Sequence, residues 1–330
     1  MKAIVRVKAG KEFSGMRVQE LPSPQPGPDQ LLVKMKASRI NPVDMDLMKG
    51  FPTLKYKNPQ VGGVDGAGKV MAVGSNVGDF AVGDAVFFYR KFTDIGSWAE
   101  EVTVSASDVA KIPEGISLEE AGSIALPMLT ACDALLSLKG QADETILIHG
   151  AGGGVGFMAV QLARQLGLKV IANAGQRDFE ALQSVGVDQI IDYKTQDFFE
   201  ELKASPPDYV FDVIGKETLL KSIRLKPKKV VSVAYPEVDE MYKTGVALPG
   251  FMKWLMKFMG KKYRAEAKRN GVVLIGQVTG PSGELMTQAV TLANAIQLQV
   301  RPIRTVDLDT IASNGMTKAD LGKTIIIGNE

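Results

Sequence analysis

A chain of 330 residues, 45% hydrophobic and 23% charged, is long enough for two domains that each bury a core. Its net charge of +2 argues against a dedicated nucleic-acid binder. One Cys excludes an internal disulfide and suits a reducing, cytoplasmic setting, and no stretch reaches the ~20 apolar residues expected of a membrane span.

The opening "MKAIVRVK" alternates like a strand rather than a signal peptide. Short strand-like runs broken by Gly and Pro follow: "LLVKMKAS", "GAGKVMAVG", "DAVFF" and "AEEVTV". They predict a compact β-barrel domain over residues 1–122. Beyond that the runs "TILIHG", "KVIANA", "QIIDY", "DYVFDVIG", "KVVSVA" and "GVVLIG" alternate with helical patterns such as "FMAVQLARQLG" and "FEALQSVG", each closed by a Gly. Alternating β and α predicts an α/β fold, a doubly wound parallel sheet over 123–297. The tail, 298–330, is strand-like again and is expected to rejoin the first domain.

The stretch Ala151-Gly152-Gly153-Gly154-Val155-Gly156 fits A-x-G-x-x-G, between a strand and a helix. Such a turn binds a dinucleotide diphosphate; alone, it reads equally as a tight turn, but here it sits in a βαβ unit. Gly153 is expected to let the backbone approach the diphosphate, and Gly156 to let the helix pack close to the strand. The second strand ends in Asn173-Ala174-Gly175, followed by Gln176 and Arg177, with no acid for a ribose 2′-hydroxyl. A cation without a carboxylate favours a 2′-phosphate, hence NADPH; the plainer alternative is that Arg177 is a solvated residue at a helix start. Tyr193 either closes over the adenine ribose or simply packs.

The whole chain resembles the medium-chain dehydrogenase/reductases, and among them the zinc-free quinone oxidoreductase-like members. The resemblance rests on "SRINPVDMDLMKG" (38–50), "VGGVDGAGKVMAVGSNV" (61–77), "VGDAVF", "GSWAEEVTV", "AGSIALPMLTACDAL", "HGAGGGVGFMAVQLARQLG" and the late "GKTIII". It implies a GroES-like barrel plus a Rossmann domain, an active site in the cleft between them, and a homodimer. It also implies that Asn41 and Thr130 face the nicotinamide, that Arg177 and Tyr193 hold the 2′-phosphate, and that backbone at Val233, Ala234, Ile275 and Gly276 cradles the carboxamide. Zinc-dependent relatives ligate metal with a Cys after the second strand and a His in a G-H-E segment. This chain reads Ser38-Arg39-Ile40-Asn41 and Gly62-Gly63-Val64-Asp65 there. Without metal ligands, acceptors that take hydride unaided are expected: quinones and α,β-unsaturated carbonyls.

Two departures stand out. Many relatives carry a substrate-facing Tyr where this chain has Pro52; Tyr56 is the nearest substitute, Tyr89 and Tyr235 are further candidates for the proton donor, and water is the alternative to all three. His149 reads as a packed strand residue and Cys132 as core. The second departure is "LPGFMKWLMKFMGKKYRAEAKRNG", where Phe251, Trp254, Leu255, Phe258 and Met259 form a helical stripe. From 250 to 270, seven Lys/Arg against one Glu leave a local net of +6. The favoured reading is a lid packing this stripe over the cleft; the alternative is peripheral membrane contact through 251–269. The functional expectation is an NADPH-dependent, zinc-independent oxidoreductase, and the rival is a non-catalytic NADPH-binding sensor or membrane-docking protein.

Overall fold

A computed structural model describes residues 1–7, 15–49, 60–94, 96–235 and 237–328. In the first part the strands are β1 (Lys2–Arg6), β2 (Met16–Glu20), β3 (Gln30–Arg39), β4 (Asp65–Val73), β5 (Ala85–Tyr89), β6 (Glu101–Ser105) and β7 (Val109–Lys111), with helix α1 (Pro42–Lys49) after β3. The long β3 pairs antiparallel with both β4 and β6, and β5 bridges β4 and β7.

Helix α2 (Leu118–Leu138) then begins on a capping box, with Ser117 Oγ accepting from Glu120 N–H and the Glu120 carboxylate accepting from Ser117 N–H. It is long and apolar enough to cross a membrane, contrary to the sequence reading that no stretch is. Yet 78% of its most apolar window is buried inside the protein. It is the core helix, packed on β3, β4 and β5 on one side and on the second domain on the other.

That second domain has strands β8 (Thr145–His149), β9 (Lys169–Ala174), β10 (Gln189–Asp192), β11 (Tyr209–Asp212), β12 (Lys229–Ser232) and β13 (Val273–Gly276). All are parallel, in the order β10-β9-β8-β11-β12-β13. The sheet reverses direction of winding between β8 and β11, which places a ligand crevice at the carboxyl ends of these strands. Its helices are α3 (Gly154–Gln165), α4 (Phe179–Ser184), α5 (Phe198–Leu202), α6 (Lys216–Arg224), α7 (Gly250–Met259), α8 (Lys261–Asn270) and α9 (Gly283–Asn294). The tail supplies β14 (Thr305–Asp307), helix α10 (Leu308–Asn314) and β15 (Thr324–Ile326); β14 pairs β15, and β15 pairs β3 of the barrel.

The expected lid does not pack over the cleft. Met252 and Met256, at i and i+4, face the core, while Phe251, Trp254, Leu255, Phe258 and Met259 are exposed. The periodicity located the stripe correctly but not the side it faces.

Candidate active site

The phosphate loop is built from close backbone approach. Helix α3 starts at Gly154 with Gly153 as a cap that offers no side chain, so its first N–H groups have no helical partner and carry the positive end of the helix dipole. A Cβ on Gly156 would lie 2.2 Å from the Gly150 carbonyl oxygen, which is why only glycine lets this helix sit so near its strand. A Cβ on Gly152 would strike the Asp178 carboxylate at 2.2 Å, whereas one on Gly153 would meet only the Gly150 oxygen, at 3.3 Å. Gly153 is therefore the open face of the loop.

A cavity of about 510 Å³ opens there, lined by Gly152, Gly153 and Gly154 and by four arginines, Arg39, Arg177, Arg301 and Arg304, against the single acid Asp178. Each arginine arrives by a different route. Pro127, inside α2, has no N–H for the carbonyl four residues back, which is that of Ser123. Arg39 Nη1 donates to that carbonyl at 3.2 Å, and its other terminal nitrogen lies 3.2 Å from where a Cβ on Gly154 would stand. Burial lowers the Arg39 pKa, opposed by the charge of Asp65. Arg301 Nη1 donates to Asp178 Oδ1 at 2.6 Å and to the Gly152 carbonyl at 2.5 Å. Arg177, the predicted 2′-phosphate ligand, is 89% exposed at its side chain and, among the described residues, forms an ion pair with Asp178 alone, at 3.5 Å. Four cations beside a free helix N-terminus suit a group carrying a diphosphate and a further phosphate.

Tyr193 lines a different cavity, of about 630 Å³, with His149, Gly150, Asn173 and Ile214. Its hydroxyl lies 3.2 Å from where a Cβ on Gly175 would stand, so Gly175 leaves room for the ring. Arg177 follows Gly175 by two residues, so Arg177 and Tyr193 flank the same end of β9, where the resemblance expects both. The second cavity, with an aromatic ring and apolar Ile214, suits a base and ribose.

The residues expected at the nicotinamide are anchored on α2. Asn41 is buried; its Nδ2 donates to Asp65 Oδ1 at 2.9 Å, and Asp65 Oδ2 accepts from the Leu126 N–H at 3.0 Å. Leu126 stands one turn before Thr130, whose carbonyl accepts from Gln277 Nε2 at 3.0 Å. Gln277 follows Ile275 and Gly276, and the register Ser232↔Gly276 sets these beside Val233 and Ala234. Asn41, Thr130 and the two backbone segments are therefore linked through one helix and one strand pair. Burial pushes the Asp65 carboxyl up to about 7, opposed chiefly by the Leu126 N–H and Arg39. Asp44, whose Oδ2 accepts from the Asn41 N–H at 2.7 Å, is held well above the carboxylate range by burial and then by Asp65.

The tyrosine candidates divide. Tyr235 is buried; its ring packs 5.4 Å from Tyr263, Arg264 Nη1 donates to its hydroxyl at 2.5 Å, and its Cδ1 lies 3.1 Å from where a Cβ on Gly276 would stand. Tyr89 is buried and donates to the Thr279 carbonyl at 3.3 Å. Tyr56 and Pro52 lie outside the described residues.

At the places of the zinc ligands, Ser38 Oγ donates to the Asp65 carbonyl at 2.6 Å, and Val64 is buried and apolar. Gly62 lies beneath Trp98, where a Cβ would come within 2.3 Å of the ring. Among the described residues no group of three or more His, Cys, Asp or Glu could hold a metal ion. This donor set does not fit zinc. Arg301, Arg304, Asp65 and Asp178 escaped the sequence reading, as did the role of Arg39. The pair of arginines in "RPIR" was the one visible signal.

Residues 27–114 match the family model described as "Alcohol dehydrogenase GroES-like domain", and residues 154–267 match "Zinc-binding dehydrogenase". The chain is 36% identical to the quinone oxidoreductase of Sus scrofa over 210 residues, 62% of this chain and 63% of the pig protein. It is 32% identical to the quinone oxidoreductase of Mus musculus over 226 residues, 65% of this chain and 68% of the mouse protein. The match thus spans somewhat under two thirds of the pig relative and slightly over two thirds of the mouse one. The structure of the Escherichia coli quinone oxidoreductase complexed with NADPH superimposes with a TM-score of 0.74 at 23% identity, over 99% of this chain and 100% of that one. The two-domain architecture, the phosphate loop and these matches give one conclusion: the chain belongs to the medium-chain dehydrogenase/reductase superfamily, among its quinone oxidoreductase-like members.

Proposed function

We propose that this chain is an NADPH-dependent, zinc-independent oxidoreductase that delivers hydride to a quinone or to the C=C of an α,β-unsaturated carbonyl. The observation that carries the reading is the arginine-lined cavity at the N-terminus of α3, with Gly175 rather than an acid closing β9. The relatives named quinone oxidoreductase, and the E. coli protein of this fold solved with NADPH, support it. When bound, the cofactor supplies the hydride at its nicotinamide ring. The chain's own residues bind and orient. The N–H groups of Gly154 and Val155 with Arg39, Arg301 and Arg304 take the diphosphate, Arg177 takes the 2′-phosphate, and Tyr193 flanks the ribose. Asp65 fixes the Asn41 amide by accepting from Nδ2, which turns the Asn41 carbonyl oxygen away from that bond. Val233, Ala234, Ile275 and Gly276 present backbone at the paired strand ends. Catalysis of this kind rests on positioning. The anion left on the acceptor needs a proton; Tyr56, with water as the alternative, is the proposed donor on the sequence reading: Tyr89 gives its proton to the Thr279 carbonyl, whereas Tyr235 accepts from Arg264 and stays a second candidate.

Zinc independence rests on the donors: a serine hydroxyl spent on a backbone carbonyl and a valine where ligands would stand. The deciding experiment follows oxidation of NADPH and of NADH against a panel of quinones, enals and enones, with elemental analysis of the same sample. Turnover with NADPH and no stoichiometric metal is expected. Tight NADPH binding without turnover of any acceptor would instead make the chain a sensor, and activity tracking bound zinc would end the proposal.

A further inference from the structure

The outward face of α7 is an aromatic ladder. The Phe251 and Trp254 rings stack at 6.3 Å between centroids, and the Trp254 and Phe258 rings at 5.8 Å. Phe251 is 72% exposed and Trp254 and Phe258 61% each, so the rings cover one another and nothing else among the described residues covers them. The helix needs none of them for attachment, because Met252 and Met256 hold its opposite face to the core. Three large rings left in water cost free energy unless a partner takes them.

Charge selects the partner. Seven basic residues against one acid lie between 250 and 270. Some are already committed: Lys257 to Asp239 at 2.5 Å, Arg264 to Tyr235 and the Lys257 carbonyl, and Arg269 to Glu266. Lys253, Lys261 and Lys262 form no ion pair among the described residues. A second copy of this chain docking through the same face would oppose like charge to like. An anionic lipid surface neutralises it and accepts aromatic rings at its headgroup boundary. The helix, ten residues long, is far too short to span a bilayer and of suitable length to lie in its interface.

We propose that α7 docks the protein on an anionic lipid surface, the Phe251–Trp254–Phe258 ladder entering the headgroup layer and Lys253, Lys261 and Lys262 contacting lipid anions. The test is co-sedimentation of the full chain with phosphatidylcholine vesicles, with and without phosphatidylserine, while tryptophan emission is recorded. The chain has two tryptophans, and Trp98 is buried, so a change on binding reports Trp254. Capture by the phosphatidylserine vesicles, a blue shift and release by salt are expected. Each of Lys253→Gln, Lys261→Gln and Lys262→Gln should weaken capture about fivefold, and Phe251→Ser with Phe258→Ser should abolish it at an unchanged thermal midpoint. No capture, equal capture by phosphatidylcholine alone, or a blue shift that grows with protein concentration in the absence of lipid would each overturn the proposal, the last by showing that a second copy covers the face.

Discussion

Arg301 bonds Asp178 at 2.6 Å across 123 residues of sequence, and the same nitrogen holds the carbonyl of Gly152. The Asp178 carboxylate is nearly buried and lies against the Gly152 turn, where the proposed diphosphate would bind. Its charge is offset there chiefly by Arg301, with the exposed Arg177 at 3.5 Å a lesser partner. Arg301→Ala should therefore weaken NADPH binding by roughly tenfold or more. Asp178→Asn in that background should restore part of the loss, because the repelling charge is gone. Titration calorimetry on the two variants decides; a double variant no better than Arg301→Ala would remove this account of the pair.

Arg177 tests cofactor choice. Its side chain is almost wholly exposed, so its role in folding is slight and its loss reads out on the ligand. Charge-assisted contacts of ~1.5–3 kcal/mol each predict that NADPH binds roughly tenfold or more tighter than NADH. Arg177→Ala should erase most of that difference and leave NADH affinity unchanged. Equal affinities in the parent protein would dispose of the assignment.

These two arginines also mark how far the sequence could be read. Arg177 was legible because it follows a predicted strand at a spacing that has a mechanism. The six parallel strands and the phosphate loop were legible for the same reason: apolar runs of strand length, and glycines where backbone must approach backbone. Arg39, Arg301 and Arg304 were not, because they meet at α3 only through topology. Arg39 reaches it off a barrel strand by way of a carbonyl freed by Pro127, and Arg301 and Arg304 come from the tail returning to β3. The stripe on α7 misled in a different way. A 3.6-residue period shows that a helix has two faces, and here two methionines suffice to bind the inner one while five other hydrophobic residues, three of them aromatic, face out.

Asp65 gives stability a pH dependence of unusual sign. Its folded carboxyl titrates at about 7, against ~3.9 for an unfolded aspartate. Between those values the folded state binds more protons than the unfolded one, so this group's contribution falls as pH rises from about 4 to about 7, by up to ~4 kcal/mol. Asp65→Asn removes the titration. It also replaces one acceptor by a donor, so the Asn41 amide or the Leu126 N–H loses its partner, at a cost of ~1–3 kcal/mol. Urea unfolding at pH 5 and pH 8 should find the variant weaker than the parent at pH 5 and the gap narrower at pH 8. A gap independent of pH would show that the carboxyl does not titrate in this window.

His149 is the chain's single histidine, which makes its titration directly observable. It is buried, its ring stands edge-on to Phe198 at 4.5 Å, and its Nε2 lies 2.9 Å from Ser222 Oγ. Ser222 Oγ donates its own proton to the Thr218 carbonyl at 2.8 Å, so toward His149 it can only accept. The imidazole is thereby held as the neutral tautomer protonated at Nε2. Burial lowers its pKa to about 3. The unfolded chain takes up a proton near pH 6.5 and the folded one does not, so the stability this residue supplies is complete above 6.5 and is lost as pH falls toward 3. The single imidazole Hε1 resonance should therefore stay flat from pH 8 to pH 5, and it should move when NADPH is added, because His149 lines the cavity beside Tyr193. A midpoint near 6.5 would mean that solvent reaches the ring and that the neutral, Ser222-bonded histidine does not exist in solution.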